Sequence, residues 1–433
     1  MTALSLSLPH GIFQAALAFA FLSVPFGIAV LLSWGYAPWP LIRANIRRHR
    51  ALTATFVLLI AVAVALGVAV TTQERGLRQG TAQAATGFDI IVAAPGSELE
   101  VMLATIFLEP ADMGLVDGTT FMRLHDHPRV TLAAPVAFGD SYRGAPVIGT
   151  TGDFLRHLTG DPKLGQVFGD TFDAAAGVDA PVAPGDVFVP AHGHGEAAQD
   201  IHADEYKVVA RLPRTGTPWD QAILVPVEAV WRTHGLSDGH TEPGQLGPPF
   251  APALFPGTPA VILQVDSLAA AYALRSEYTR DGQTMAFFPG EVLSRLYVVL
   301  GDIRQIMSIL SIVTQLLVAI AVILALAILS RLSLRRTAML RALGAPRRFL
   351  TAVIWGHATG LLVAGTALGL MLGLAGAALL SAVISSRTGI AVDAQLGWPE
   401  LHLSLGFLAL SSGAALLSAF LTSRIDAAAN LRG

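Results

Sequence analysis

The chain has 433 residues, of which 53% are hydrophobic and only 14% are charged, and its mean hydropathy is +0.58. This charged fraction lies far below the roughly 25% typical of soluble domains, which argues against a wholly soluble protein. There is no cysteine, so disulfides, thiolate metal sites and a cysteine nucleophile are excluded.

Five apolar stretches are long enough to cross a bilayer core, which takes about 20 helical residues. In chain order they are residues 11–34, 51–70, 306–329, 349–386 and 401–423. The first is not a signal peptide, because no Lys or Arg precedes Arg43; we interpret it as an uncleaved span, with an interfacial segment as the alternative. The stretch 349–386 is too long for one simple crossing, so we expect tilt, a kink or a helical extension.

The net charge of −3 hides a strong asymmetry along the chain. Residues 1–70 carry four Arg and no acid, residues 71–302 carry 28 acids against 14 basic residues, and residues 303–433 carry ten Arg against three acids. By the positive-inside rule, the Arg-rich segments are cytoplasmic and the acidic segment is outside, with the N-terminus also outside. No basic surface remains outside the apolar regions, so we expect no nucleic-acid partner.

The sequence therefore predicts an α-helical transmembrane bundle of four core helices, one within residues 43–70 and three within residues 303–433, plus an extra N-terminal helix. A large α+β periplasmic domain is inserted between the first and second core helices. The predicted domains are an extra N-terminal hydrophobic segment (1–42), a first core helix (43–70), the α+β domain (71–302) and three further helices (303–433) with a cytoplasmic coupling loop (330–350). Short apolar runs bounded by Gly, Pro and Asp indicate strands. They are residues 88–93, 130–138, 147–149, 206–212, 222–227 and 260–265.

No motif for nucleotide hydrolysis is present. A phosphate-binding loop needs Gly-Lys-Ser/Thr after a glycine-rich turn, and neither of the two lysines, Lys163 and Lys207, fits. We therefore predict that the chain is not an enzyme, and that any ATP hydrolysis belongs to a partner.

Histidines cluster in the segment AHGHGEAAQDIHADEY, residues 191–206. Imidazole and carboxylate groups suit zinc, and we predict a Zn²⁺ site formed by His192, His194 and His202, with His234 or an acidic side chain as fourth ligand. Binding should weaken below the ordinary histidine pKa of about 6.5. The alternative is a solvated loop whose histidines bind nothing.

The segment RLSLRRTAMLRALGAPRRFL, residues 331–350, is the second distinctive stretch. Leu340 and Leu343 give it an apolar helix face, and Gly344 is expected to end that helix. One interpretation is that its arginines only orient the chain in the membrane. The other is a short cytoplasmic helix that docks into a partner.

The motif LRALGAPRR, residues 340–348, resembles the cytoplasmic motif of the MacB–FtsX-like ABC transporter permeases, the type VII or mechanotransmission class. Residues 42–70, and the segments GFDIIVAAPGSELEVML, GDSYRGAPVIGTT and TGTPWDQAILVPVEAVW, also resemble this family, so the resemblance extends over about residues 41–433. Three features differ: Arg336 stands where many members carry Glu, the stretch 11–34 is extra, and no ATPase domain is fused.

The resemblance implies a homodimeric permease in the bacterial inner membrane that works with a separate cytoplasmic ABC ATPase and with a periplasmic adaptor or binding protein. It implies that the contact with the ATPase involves Arg336, Leu340, Arg341, Leu343, Gly344 and Arg347. Export or extraction of a periplasmic or membrane substrate is the expected function. Two alternatives remain open: an ATPase-coupled regulator of a periplasmic partner with no transported substrate, and a membrane-tethered metal-binding receptor.

Overall fold

The structure is a computed structural model that describes residues 10–193, 200–298 and 343–423, with a few residues between 309 and 341. The chain divides into two compact units. We name them the helical unit (Met1–Gly76, Gly301–Ala382 and Asp393–Gly433) and the sheet unit (Leu77–Leu300 and Val383–Val392). The domain boundaries drawn from the sequence remain predictions.

The named helices, in chain order, are α1 (His10–Ser33), α2 (Trp39–Arg48), α3 (Arg50–Thr86), α4 (Glu98–Ile106), α5 (Gly118–His125), α6 (Gly152–Thr159), α7 (Val227–Thr233), α8 (Leu268–Arg280), α9 (Arg347–Thr388) and α10 (Trp398–Ser423). Residues 289–298 are also helical.

Four helices among the described residues are long and apolar enough to cross a membrane: residues 11–33 of α1, and the whole of α3, α9 and α10. Together with a mixed β-sheet, they give the architecture of a membrane protein with an α+β domain. The span predicted at residues 306–329 falls mostly outside the described residues.

Helix α9 runs for 42 residues without interruption, about 63 Å at the usual helical rise. The excess length of the stretch 349–386 is therefore helical extension and not a break.

Glycines allow α9 to approach α3 closely in the helical unit. Gly365, Gly369 and Gly373 are spaced four residues apart and so share one helix face. A Cβ atom added at Gly369 would lie 2.7 Å from the carbonyl oxygen of Ala61 and 2.7 Å from the Cβ of Val64. Only a residue without a side chain fits this contact.

A buried ion pair fixes the beginning of α10, also within the helical unit. The Glu400 side chain is fully buried, and its Oε2 accepts hydrogen bonds from Arg75 Nη1 and from the Gly397 backbone N–H, each at 2.8 Å. The hydrogen bond from the Gly397 N–H to the side chain of Glu400, three residues later, is one of the two bonds that form a capping box. Arg75 supplies the positive charge that a buried carboxylate needs.

The strands of the sheet unit are β1 (Ile90–Ala93), β2 (Val130–Tyr142), β3 (Ala145–Thr150), β4 (Asp173–Ala176), β5 (Val187–Phe188), β6 (Ala191–His192), β7 (Asp200–Ile201), β8 (Tyr206–Arg211), β9 (Ile223–Pro226), β10 (Ala260–Val265) and β11 (Met285–Phe287). They form one sheet in the order β11-β1-β10-β2-β3-β9-β4-β8-β5, and β6 pairs with both β2 and β7. The pairs β3–β9 and β4–β8 are parallel, and the others are antiparallel.

Both faces of the sheet carry an apolar cluster. Because side chains alternate along a strand, Ile90 and Val92 of β1 join one cluster, whereas Ile91 and Ala93 join the other. Helices α5, α7 and α8 cover the first cluster, and helices α4, α6 and the segment 289–298 cover the second. The strands can therefore be apolar on both faces, as their sequences are.

All six strand segments predicted from the sequence contain a strand, and β10 matches its predicted bounds. The sequence missed the strands β4, β5, β6, β7 and β11 and the helices α5, α6 and α7, and it did not separate α2 from the helix predicted at residues 43–70. The missed strands and the helices α5, α6 and α7 are two to eight residues long, too short for a period of 2 or 3.6 to stand out.

Candidate functional site

Four side chains of the sheet unit converge on one point. Oδ1 of Asp140 lies 3.0 Å from Nε2 of His202, 3.4 Å from Nδ1 of His192 and 3.5 Å from Nε2 of His234. Nε2 of His234 lies 3.4 Å from Nδ1 of His192. One oxygen or nitrogen atom from each residue lies within 4.8 Å of those from the other three, so the set could hold a metal ion. We name these four residues the Asp–His cluster.

Asp140 lies in β2, where the strand is irregular. The register between β2 and β3 shifts between Ala137 and Asp140, and Gly139 has a φ of +150°, which disfavours residues with a side chain. Bulges of this kind turn a strand side chain toward a new direction. The Asp140 side chain is 1% exposed.

Backbone pairing brings the first histidine to this carboxylate. His192 in β6 is the partner of Asp140 in the antiparallel pairing of β6 with β2. Gly193, the next residue, donates its N–H to the Gly139 carbonyl and accepts a hydrogen bond from Ser141 Oγ. The chain returns through β7, and His202 donates its N–H to the Pro190 carbonyl. The hairpin therefore sets His192 and His202 beside Asp140.

His234 comes from the other side, at the C-terminal end of α7. Its Nδ1 lies 2.7 Å from the Val230 carbonyl oxygen, which can only accept, so Nδ1 carries the proton. When the ring is protonated, its Nε2–H points at Asp140 Oδ1, whereas in the neutral imidazole Nε2 presents a lone pair to the cluster instead. A hydrogen bond of this kind orients the histidine ligands of metal sites.

The charges of the cluster are coupled. Burial acts to raise the pKa of Asp140, but hydrogen bonds from His234 and His202 and their charge outweigh it, so that this pKa lies below its usual value. Asp140 in turn raises the pKa of His234 by accepting its hydrogen bond; burial opposes this, and the bond to the Val230 carbonyl supports it. The buried carboxylate thus stays ionised and attracts positive charge.

Three of the four predicted metal ligands, His192, His202 and His234, are brought together, whereas His194 lies outside the described residues. Sequence reasoning missed Asp140. The available signal was an acidic residue directly after a glycine within an otherwise apolar strand, in VAFGDSY. Zinc binding itself remains a prediction.

The second predicted site, in the loop 330–350, is described in part. Gly344 has a φ of +93°, its N–H donates to the Arg341 carbonyl, and the N–H of Ala345 donates to the Leu340 carbonyl. These two bonds form a Schellman motif, as expected for a helix that ends before Gly344. Leu343 is 84% exposed, and α9 begins at Arg347. Arg336 lies outside the described residues.

No protein-family model matches the chain, and no curated protein sequence matches it. Among solved structures, the periplasmic region of MacB from Actinobacillus actinomycetemcomitans is similar, with 8% sequence identity and a TM-score of 0.30. The match covers 48% of this chain and 94% of that one.

Proposed function

We propose that the protein is the permease subunit of an ABC transporter and works with a separate cytoplasmic ATPase. The sequence supports this through the LRALGAPRR motif and through the lack of any nucleotide-binding motif of its own. Four long apolar helices and a large α+β domain are the architecture that such a subunit requires. The proposal includes a bacterial inner-membrane location, a second copy of the chain and a periplasmic adaptor or binding protein.

The observation that carries the proposal is the exposed Leu343. Its side chain is 84% exposed directly before the Schellman turn, and exposed arginines follow at Arg347 and Arg348. An apolar centre with a basic rim suits a groove on a partner protein. A segment that only oriented the chain in the membrane would need the arginines but no exposed leucine.

Helix α9 offers a physical route for coupling. It begins at Arg347, three residues after the Schellman turn at Gly344, and continues without interruption to Thr388. Its final residues, from Val383 onward, cluster with the sheet unit. In the proposed mechanism, ATP-driven movement of the partner displaces the turn, and this single stiff helix passes the displacement outward. No catalytic residue is needed on this chain.

The test uses the tagged full-length chain, purified from its own bacterial membranes in mild detergent, and assays ATP hydrolysis by phosphate release. We expect an ABC ATPase to co-purify and the Leu343→Asp variant to lose both the ATPase and the activity, because the new charge cannot enter an apolar groove. The matched control is Leu268→Asp, at a leucine in the sheet unit that is 73% exposed. Retention of the ATPase by Leu343→Asp, or its absence from the wild type, would refute the proposal.

The same preparation separates transport from regulation. Reconstituted in lipid vesicles, an exporter or extractor should hydrolyse ATP faster when its periplasmic or membrane substrate is added. A regulator with no transported substrate should instead respond only to its periplasmic protein partner.

A further inference from the structure

We infer that the Asp–His cluster is a four-coordinate site for a divalent transition metal ion, and that Zn²⁺ is the ion that fits it. The ligands would be Oδ1 of Asp140, Nδ1 of His192, Nε2 of His202 and Nε2 of His234. The inference goes beyond the proposed permease function and does not depend on it, since it needs no ATPase partner.

The spacing of the ligand atoms agrees with tetrahedral coordination. Zinc bonds of about 2.0–2.1 Å in a regular tetrahedron separate neighbouring ligand atoms by about 3.3–3.4 Å. Of the six distances between ligand atoms, the four given above, from Oδ1 of Asp140 to the three histidines and between His192 and His234, range from 3.0 to 3.5 Å. The two from His202 to the other histidines are within 4.8 Å. An ion could therefore be accommodated with small side-chain movements.

A second observation is the burial of the carboxylate. Asp140 is 1% exposed, and its Oδ2 is buried without a hydrogen-bond partner among the described residues. A buried carboxylate needs a compensating positive charge close to it. A divalent cation held between Oδ1 of Asp140 and the three histidine nitrogens would supply that charge at the point where the four side chains converge.

The surrounding contacts also favour a metal. The bond from Nδ1 of His234 to the Val230 carbonyl fixes the ring and leaves Nε2 free to bind. The ligand atoms come from β2, from β6, from the residue following β7 and from the end of α7. The ion would thus join a hairpin to the body of the sheet unit, as structural zinc ions join separate segments.

The donor set selects the kind of ion. Three imidazole nitrogens and one carboxylate oxygen suit zinc or another borderline transition metal, whereas Mg²⁺ and Ca²⁺ prefer six or more oxygens. Four protein ligands fill a tetrahedral zinc ion and leave no open position for a reacting water, so the site is a binding site and not a hydrolytic one. His192, 57% exposed, is the ligand that an incoming ion would meet first.

The test uses the full-length chain in detergent, stripped with a chelator that is then removed, and titrated with ZnCl₂ in calorimetry at pH 7.5. We expect one Zn²⁺ per chain, with binding at least about 100-fold weaker in Asp140→Asn and in His202→Ala. Loss of a residue that only hydrogen-bonds a metal ligand already weakens metal affinity by about 10–100-fold, and these two variants remove a ligand itself. Co²⁺ in place of Zn²⁺ should give the visible absorption of a tetrahedral complex. The matched control is His157→Gln, because His157 contacts the Gly87 carbonyl and lies outside the cluster.

One further variant tests the assignment of the four ligands. His194→Ala should bind Zn²⁺ like the wild type, because four ligands are already assigned; loss of binding there would overturn the assignment. Thermal unfolding without metal checks that each variant folds, and added Zn²⁺ should raise the melting temperature of the wild type but not of Asp140→Asn. Unchanged Zn²⁺ binding in Asp140→Asn and His202→Ala, or no stoichiometric binding in the wild type, would overturn the inference.

Discussion

The helical unit and the sheet unit are packed by opposite means. In the helical unit, α9 meets α3 at Gly365, Gly369 and Gly373, where a side chain would collide with the opposite helix. In the sheet unit, large side chains such as Phe154 and Trp219 fill the interior. The difference follows from the surroundings. Lipid is itself apolar, so there is no hydrophobic driving force between helices in a membrane and close backbone contact matters, whereas in water the hydrophobic effect buries large apolar side chains. Removal of a large side chain should therefore destabilise the sheet unit, and addition of a side chain should destabilise the helical unit.

Removal of a large side chain from the sheet unit should have the largest effect. Phe154 is fully buried, with its ring 4.9 Å from that of Trp219 and 6.3 Å from that of Phe88. Phe154→Ala should lower the free energy of unfolding of this unit by about 3–5 kcal/mol, because a cavity remains where the ring was. Amide hydrogen exchange of the full chain in detergent measures this loss of stability. The backbone amides of β2, β3 and β9 should exchange faster in the variant than in the wild type.

The control is Leu268→Ala, at a leucine that is 73% exposed, where the change should stay within about 0.5 kcal/mol. Amide protection in residues 51–70 of α3 should not change in either variant. Equal losses in Phe154→Ala and Leu268→Ala would show that the aromatic interior does not stabilise the sheet unit.

Addition of a side chain should be the damaging change in the helical unit. Gly369→Leu places its Cβ 2.7 Å from Ala61 and Val64, and overpacking of this kind costs about 1–3 kcal/mol. Unfolding by SDS in mixed micelles, followed by circular dichroism, should begin at a lower SDS fraction than in the wild type. Gly376→Leu is the matched control, because a Cβ there meets no described atom within 4 Å. Equal sensitivity of the two variants would contradict glycine-mediated packing.

The sequence predicted the larger elements of both units for identifiable reasons. Long uncharged stretches predicted the helices α3, α9 and α10, and turn residues around apolar runs predicted β1, β2 and β10. The helices α5 and α6 were missed although their capping residues, Asp117 and Thr151, were visible. Two turns of helix carry too little periodicity to stand out, and a capping residue alone is common in loops.

The candidate site was predictable only where its residues are close in sequence. His192 and His202 stood out because they lie in one short histidine-rich segment, and His234 because five of the twelve histidines fall within residues 192–240. Asp140 is about fifty residues earlier, and only the pairing of β6 with β2 brings it opposite His192. Long-range register of this kind depends on the whole sheet, so a local pattern cannot reveal it.

The smallest expected effect concerns a helix cap at the surface of the sheet unit. Asp117 precedes α5, and its two carboxylate oxygens accept hydrogen bonds from the N–H and the hydroxyl of Thr120. Asp117→Ala should cost about 1 kcal/mol at pH 7, measured as faster hydrogen exchange in residues 118–125. The Thr120 N–H bond lowers the pKa of Asp117 although burial opposes it. Since the folded pKa is below the unfolded value of about 3.9, the stabilisation is present above that value and is lost as the pH falls through the folded pKa.

Asp117→Asn separates the charge of this cap from its hydrogen bonds. Asparagine keeps an acceptor for the Thr120 N–H but cannot ionise, so its stability deficit relative to the wild type should shrink as the pH falls from 5 toward 3. The Ala variant lacks both the charge and the acceptor, so it should remain less stable than Asn across that range. If the deficit of Asn is independent of pH, the charge at Asp117 does not contribute and the cap acts through its hydrogen bonds alone. In that case the cap resembles the neutral caps at Ser97 and Thr151.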